Sequence, residues 1–239
     1  MTATLLFAPR SAAMVPGPQD EALWYARALG WPVLPGTEDQ AEDRTEDRAE
    51  PERARSDGSG GSTDPGVILH WWRTAPRRPV RLAAGAHFDV LDVPGAAGTR
   101  ALRRAERLGL PLGPVAATAA GRVQFFVAPG IAEDLPALLD WLDWSDLGLD
   151  LRAFGAGDSV PAPSPWPTTW LAPWPRAWES ARWLRAPAAS RLRCAAGARA
   201  EALMRVDVRF PDVTRLLSGL ADACQQVRLL PRQRCRRDA

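Results

Sequence analysis

The chain has 239 residues, 46% of them apolar, and a formal net charge of +2, enough apolar content for one sizeable core or two small ones. No uninterrupted apolar run approaches the roughly 18 residues of a membrane span, and the N-terminal apolar stretch lacks a preceding basic region, so neither a span nor a signal peptide is expected. The three cysteines, Cys194, Cys224 and Cys235, are odd in number and lack CxxC spacing. That argues against a structural zinc site and for free thiols in a reducing, cytoplasmic setting.

Every one of the 30 basic residues is arginine. With abundant Ala, Gly, Pro and Trp this reads first as the coding bias of a high-GC bacterium. Charge is spread unevenly. Residues 38–64 carry ten acids against four arginines, and residues 181–239 carry thirteen arginines against five acids. A basic C-terminal region is either a solvated tail or a contact for nucleic acid or an acidic partner.

In chain order, residues 20–29 form an amphipathic helix that Asp20 is placed to cap and Gly30 ends. Residues 31–34 read as a short strand. Residues 38–63 are a low-complexity acidic insertion running into Gly and Ser, with nothing to bury, and are expected to be disordered. Thr63-Asp64-Pro65 caps a helix carrying His70, Trp71 and Trp72. Strands follow at 80–83 and 88–93, then a helix at 98–108 with its arginines outward. A hairpin is expected over 115–118 and 123–128, a helix over 134–142, a strand over 147–154, a helix over 177–184 and a last helix over 213–230. Helices mixed with hairpin-connected strands predict an α+β fold with helices packed on a largely antiparallel sheet.

The strand Phe88-Asp89-Val90-Leu91-Asp92-Val93 alternates apolar and acidic side chains, which suits either a surface edge or a metal ligand. Asp89 and Asp92 lie three residues apart, so a regular strand turns them to opposite faces, and only a bulge would bring them together.

Four segments, in this order, resemble the bifunctional DNA primase/polymerase N-terminal domain, the prim-pol branch of the archaeo-eukaryotic primase superfamily. They are ALWYARALGWPVLPG, TDPGVILHWWRTAP, the strand–turn–acidic strand of residues 80–98, and LDLRAFGAGDSVPAP of residues 149–163. The resemblance implies a primase/polymerase-like domain over 18–183 and an Arg-rich helical or partly disordered extension over 184–239. It also implies two-metal nucleotidyl transfer, in which carboxylates hold two divalent ions. Asp92 matches the first Asp of the family's Asp-x-Asp pair, but Pro94 stands at the second position. Asp150 matches the later Asp and Arg152 the Arg near it. The family's hairpin histidine falls on Val123 or Gln124 of TAAGRVQFF, and neither can replace an imidazole beside a triphosphate.

The resemblance thus gives Asp92 and Asp150 as catalytic and metal-holding residues, with Mg or Mn if the chain is active and no cofactor otherwise. Arg122, Gln124 and Arg152 are the nucleotide-binding candidates. Whether the chain is an enzyme stays open on this reading. The expected function is nucleotide or DNA binding on a degraded nucleotidyl-transfer site. The alternative is a non-catalytic module that keeps the scaffold and binds a protein through its Trp/Pro segment or Arg-rich tail. That segment repeats Trp166, Trp170, Trp174 and Trp178 among prolines, and packing over the domain surface is the expected role.

Overall fold

The computed structural model describes residues 16–36, 60–166, 181–187 and 210–229. The first helix, α1 (Pro18–Trp24), runs into a π-helical turn at Tyr25–Leu29. Ala22, Tyr25, Ala26 and Leu29 form its buried stripe. Asp20 does not cap it. Pro18 needs no N–H partner and suits the first helical position, so the helix starts earlier, with Gly17 as its cap. Asp20 instead accepts a bond from the Gly17 N–H at 2.9 Å. Gly30 ends the π turn at φ 65°, as its position in the sequence suggests.

Helix α2 (Pro65–Thr74) is capped as expected: Asp64 Oδ1 accepts from the N–H groups of Gly66 at 2.6 Å and Val67 at 3.1 Å. Its Trp72 is buried and donates Nε1–H to the Arg78 carbonyl, whereas His70 faces outward. The remaining helices are α3 (Gly95–Arg107), α4 (Ile131–Trp141) and α5 (Phe210–Leu229). All three begin three residues before the helices expected at 98, 134 and 213.

The strands are β1 (Val33–Pro35), β2 (Val80–Ala83), β3 (Asp89–Pro94), β4 (Val115–Thr118), β5 (Arg122–Val127), β6 (Arg152–Phe154), β7 (Ser159–Pro161), β8 (Pro163–Ser164) and β9 (Ala181–Arg185). They build two sheets, β1-β2-β7 and β6-β3-β5-β4-β9-β8. Every pair is antiparallel except β8 with β9. The architecture is therefore α+β with a largely antiparallel arrangement. No helix among the described residues is long and apolar enough to cross a membrane.

An aromatic column joins the two sheets. Trp31, just before β1, stacks between Tyr25 and Phe126 at centroid distances of 6.0 and 5.9 Å. Phe126 also meets Phe88 at 4.9 Å and Trp183 at 5.1 Å. Such pairs contribute about 0.5–1.5 kcal/mol each beyond the area they bury.

Three expectations need correction. Residues 181–184, read as the end of a helix, form β9: Ala181 and Trp183 turn inward with the period of a strand, and β9 covers an edge that β4 would otherwise leave open. The strand expected over 147–154 shrinks to Arg152–Phe154, because Ser145–Leu147 is a 3-10 turn closed by Gly148 in the left-handed region. Ser62, inside the low-complexity stretch, forms an antiparallel bridge with Val33. Residues 38–59 of that stretch lie outside the described residues, as do Trp170, Trp174, Trp178 and most of the Arg-rich tail.

Two close approaches fix α3 on the sheet. The Gly95 N–H donates to the Gly121 carbonyl at 2.8 Å, and a Cβ on Gly98 would stand 2.4 Å from the Val123 Cβ. On its other side α3 carries α5 through Arg104 with Asp222 and Arg100 with Gln226. Val213, Leu217, Leu220 and Ala221 of α5 are buried, so this helix completes the core rather than trailing from it.

The Gly98 contact is backbone against a branched side chain, and overpacking of this kind costs about 1–3 kcal/mol. Gly98→Ala is expected to lower the midpoint of urea unfolding with an unchanged m-value. Stability equal to the parent chain would show that α3 can lift off β5 freely.

Candidate functional site

Strand β3 carries its two carboxylates to opposite faces, as the spacing requires, and its register with β5 runs unbroken from Asp89 to Pro94. No bulge brings Asp89 toward Asp92. Asp89 instead faces the start of α4: its Oδ2 accepts the Ala132 N–H at 2.8 Å, while its Oδ1 is buried without a hydrogen-bond partner. Burial pushes the Asp89 carboxyl above its ordinary value of 3.8 despite backbone bonds from Ala132 and Gly130, and Glu133 and Asp158 add to the effect.

Asp92 sits across the ladder from Gln124 on one side and Arg152 on the other. Residues two apart share a face, so Arg122 on β5 lies on the Asp92 side as well. The Arg122 Nε–H donates to Asp92 Oδ1, and Gln124 Nε2 donates to Asp92 Oδ2 at 3.1 Å. Both Asp92 side-chain oxygens are therefore occupied by protein donors. Asp92 is 3% exposed, and its burial raises the carboxyl above 3.8 against the opposing pull of Arg122.

Arg122 reaches Asp150 too. Its two terminal nitrogens lie 3.1 Å from Asp150 Oδ2 and 3.0 Å from Asp150 Oδ1. Burial works against the guanidinium charge, but the bonds to Asp150 and Asp92 outweigh it and raise Arg122 above its ordinary value. Arg152 approaches Asp150 Oδ1 at 3.8 Å with its side chain 38% exposed. The Asp150 side chain is 52% exposed, against 4% for Asp92.

Asp150 lies on a loop that α5 holds from behind. The Arg228 guanidinium donates to the Leu147 carbonyl at 2.6 Å, and Cys224 Sγ is 4.0 Å from the Asp150 carbonyl. Burial, with Asp150 adding to it, pushes the Cys224 thiol up to about 11, which leaves it an inert packing residue. Cys194 and Cys235 lie outside the described residues.

The sequence-selected residues Asp92, Asp150, Arg122, Gln124 and Arg152 thus meet in one place. Gln124 is 3% exposed and turned to Asp92, and Arg122 is committed to the two carboxylates. As arranged, this donor set does not fit a divalent ion, because a guanidinium stands between the two carboxylates a metal would have to bridge. Among the described residues no group of three or more His, Cys, Asp or Glu is placed to hold a metal. The alternation of Arg122 and Gln124 on one strand face has a signal in the sequence, but the strand they pair with does not. The roles of α5 and of the α4 N-terminus had none, since both depend on contacts distant in sequence.

The raised carboxyl of Asp89 sets a pH dependence of known sign. The folded state holds the proton more tightly than the unfolded chain, so the contribution of Asp89 is full below 3.8 and is lost as pH rises through the folded value. Asp89→Asn removes that loss. Its unfolding free energy is expected to rise relative to the parent chain as pH increases from about 4 to 7. Asp92 titrates in both proteins and cancels in the difference. Parallel pH profiles in urea unfolding would show that Asp89 is ordinary.

A family model described as the bifunctional DNA primase/polymerase, N-terminal domain matches residues 22–182. A search of curated proteins and a search of solved structures each found no match. The match takes in the last three residues of α1, the π-helical turn, the elements of both sheets up to the first part of β9, and all five residues that meet at the site. The chain belongs to the family of bifunctional DNA primase/polymerase N-terminal domains.

Proposed function

We propose that this chain binds nucleotides or single-stranded nucleic acid at a primase/polymerase-like site whose two-metal nucleotidyl-transfer motifs are degraded. The observation that supports this most is the make-up of the site. The position two residues after Asp92 is Pro94, which has no ligand atom, and the hairpin offers Val123 and Gln124 where the family has a histidine. Asp92 and Asp150 are the remaining carboxylates, and Arg122 bonds both. Arg152, more exposed and more loosely held, is the residue we assign to phosphate contact; Arg122 and Gln124 hold Asp92 in place.

A basic surface beside the site favours a nucleic-acid ligand. An open cavity of about 910 Å³ begins at Gly95, the residue after Pro94, and runs along the outer face of α3 past Thr99, Arg103 and Arg107. Arg100 and Arg104 are turned to α5, but Arg103 and Arg107 are exposed and form no ion pair among the described residues. Like charges one helical turn apart repel, and a phosphate backbone would relieve that repulsion. Among the described residues, Glu106 is the one acid on this wall.

Fluorescence anisotropy of a labelled single-stranded oligonucleotide, in EDTA and over a salt series, tests the reading. Binding that weakens steeply with salt is expected. The Arg103→Ala/Arg107→Ala double variant is expected to reduce the log–log salt slope by about 0.7 for each phosphate that is no longer neutralised. Arg152→Ala is expected to weaken binding of a dNTP. A primer-synthesis assay with manganese and dNTPs is expected to give no product. Product would overturn the degraded chemistry. No binding of DNA or dNTP would overturn the ligand class and leave the protein-interaction alternative.

A further inference from the structure

Arg122 makes contacts of an unusual kind for an arginine. Among the described residues, its guanidinium is within bonding range of five oxygens from two residues. They are Asp92 Oδ1, the Asp92 carbonyl at 3.2 Å, Asp150 Oδ1 at 3.0 Å, Asp150 Oδ2 at 3.1 Å and the Asp150 carbonyl at 3.4 Å. An all-oxygen shell of carboxylates and carbonyls is the environment that hard divalent cations take, with about six to eight ligands for the larger of them. Here it closes around a planar cation that keeps its charge at any physiological pH.

An ordinary surface ion pair does not account for this. Asp92 is 3% exposed, lies on a strand paired on both sides, and has its second oxygen tied by Gln124. A phosphate-binding arginine does not account for it either. All three guanidinium nitrogens of Arg122 bond to Asp92 or Asp150, so little of its fork is left to an anion, and those carboxylates repel one.

We propose that Arg122 is a resident cation, occupying the space between Asp92 and Asp150 that a divalent ion would need, so that this site works without metal. The proposal deepens the reading above and rests on it only for the identity of the ligand. Its consequence is that removing the guanidinium creates a metal site that the parent chain lacks. Arg122→Met keeps much of the length and the apolar stem of the side chain while deleting its charge. That leaves two facing carboxylates whose repulsion a divalent ion can relieve.

The test uses manganese(II) alone as the probe, with neither nucleotide nor DNA, so it can fail independently of the ligand-binding experiment. The full chain and Arg122→Met are titrated with MnCl₂ by calorimetry and by water-proton relaxation, and melted with and without Mn²⁺. The parent chain is expected to show no saturable binding and no shift in melting temperature. Arg122→Met is expected to melt lower, to bind one Mn²⁺ at least about tenfold more tightly than the parent, and to regain melting temperature as Mn²⁺ is added. Adding Asp150→Asn to Arg122→Met is expected to abolish the gain. A folded Arg122→Met that binds no Mn²⁺ overturns the proposal. If Arg122→Met does not fold even with Mn²⁺, the parent chain still decides: saturable Mn²⁺ binding that Asp150→Asn removes overturns the proposal, and its absence, with Arg122→Lys folded and still melting independently of Mn²⁺, upholds it.

Discussion

One strand of this fold has to bury two carboxylates, and much of the surrounding structure answers that demand. Asp89 and Asp92 are 1% and 3% exposed on β3, which is hydrogen-bonded to β5 and to β6. A carboxylate removed from water needs donors or a counter-charge, or it takes up a proton. The two residues are served differently because they face opposite ways. Asp89 meets the first amides of α4, where the helix dipole and unpaired N–H groups favour negative charge. Asp92 meets a full positive charge and an amide from the neighbouring strand. The family scaffold is kept around both, and the local chemistry differs on its two faces.

The same strand explains what could be read in advance. The β4–β5 hairpin, the capped tryptophan helix and the opposite orientation of Asp89 and Asp92 all follow from local rules: a turn glycine, an Asp-Pro start and a side-chain period of two. Trp183 shows where local rules stop. Its neighbourhood of Trp, Leu and Arg suits a helix by composition, but the open edge of β4 is a stronger determinant, and that edge is known only once the sheet exists. The site divides the same way. Its five residues were picked out through the resemblance to a known family, whereas their partners were not visible. Reading Arg122 as a phosphate ligand follows from treating each residue alone; its proximity to both Asp92 and Asp150 is a property of the assembled sheet.

Beyond the matched span, α5 contributes as much to the site as some elements within it. It fills the core with Leu217 and Leu220, grips α3 through Arg104 and Asp222, and holds the Asp150 loop through Arg228. Asp92 is thus anchored by the sheet and Asp150 by a helix from a distant part of the chain. The distance between the two carboxylates is set jointly by two parts of the sequence that share no local signal.

Pro94 carries a consequence for any attempt to rebuild the family's chemistry by a single replacement. It is at once the last residue of β3, the residue opposite Arg122 in the ladder, and the N-cap of α3. An aspartate introduced there enters a position where short acidic side chains fold back onto the first helical amides. It would also face a guanidinium already shared by two other acids. Repair of the motif at this one codon would therefore yield a better-capped helix sooner than a working pair of ligands. Placing a second ligand at this position requires the strand end, the helix start and Arg122 to change together.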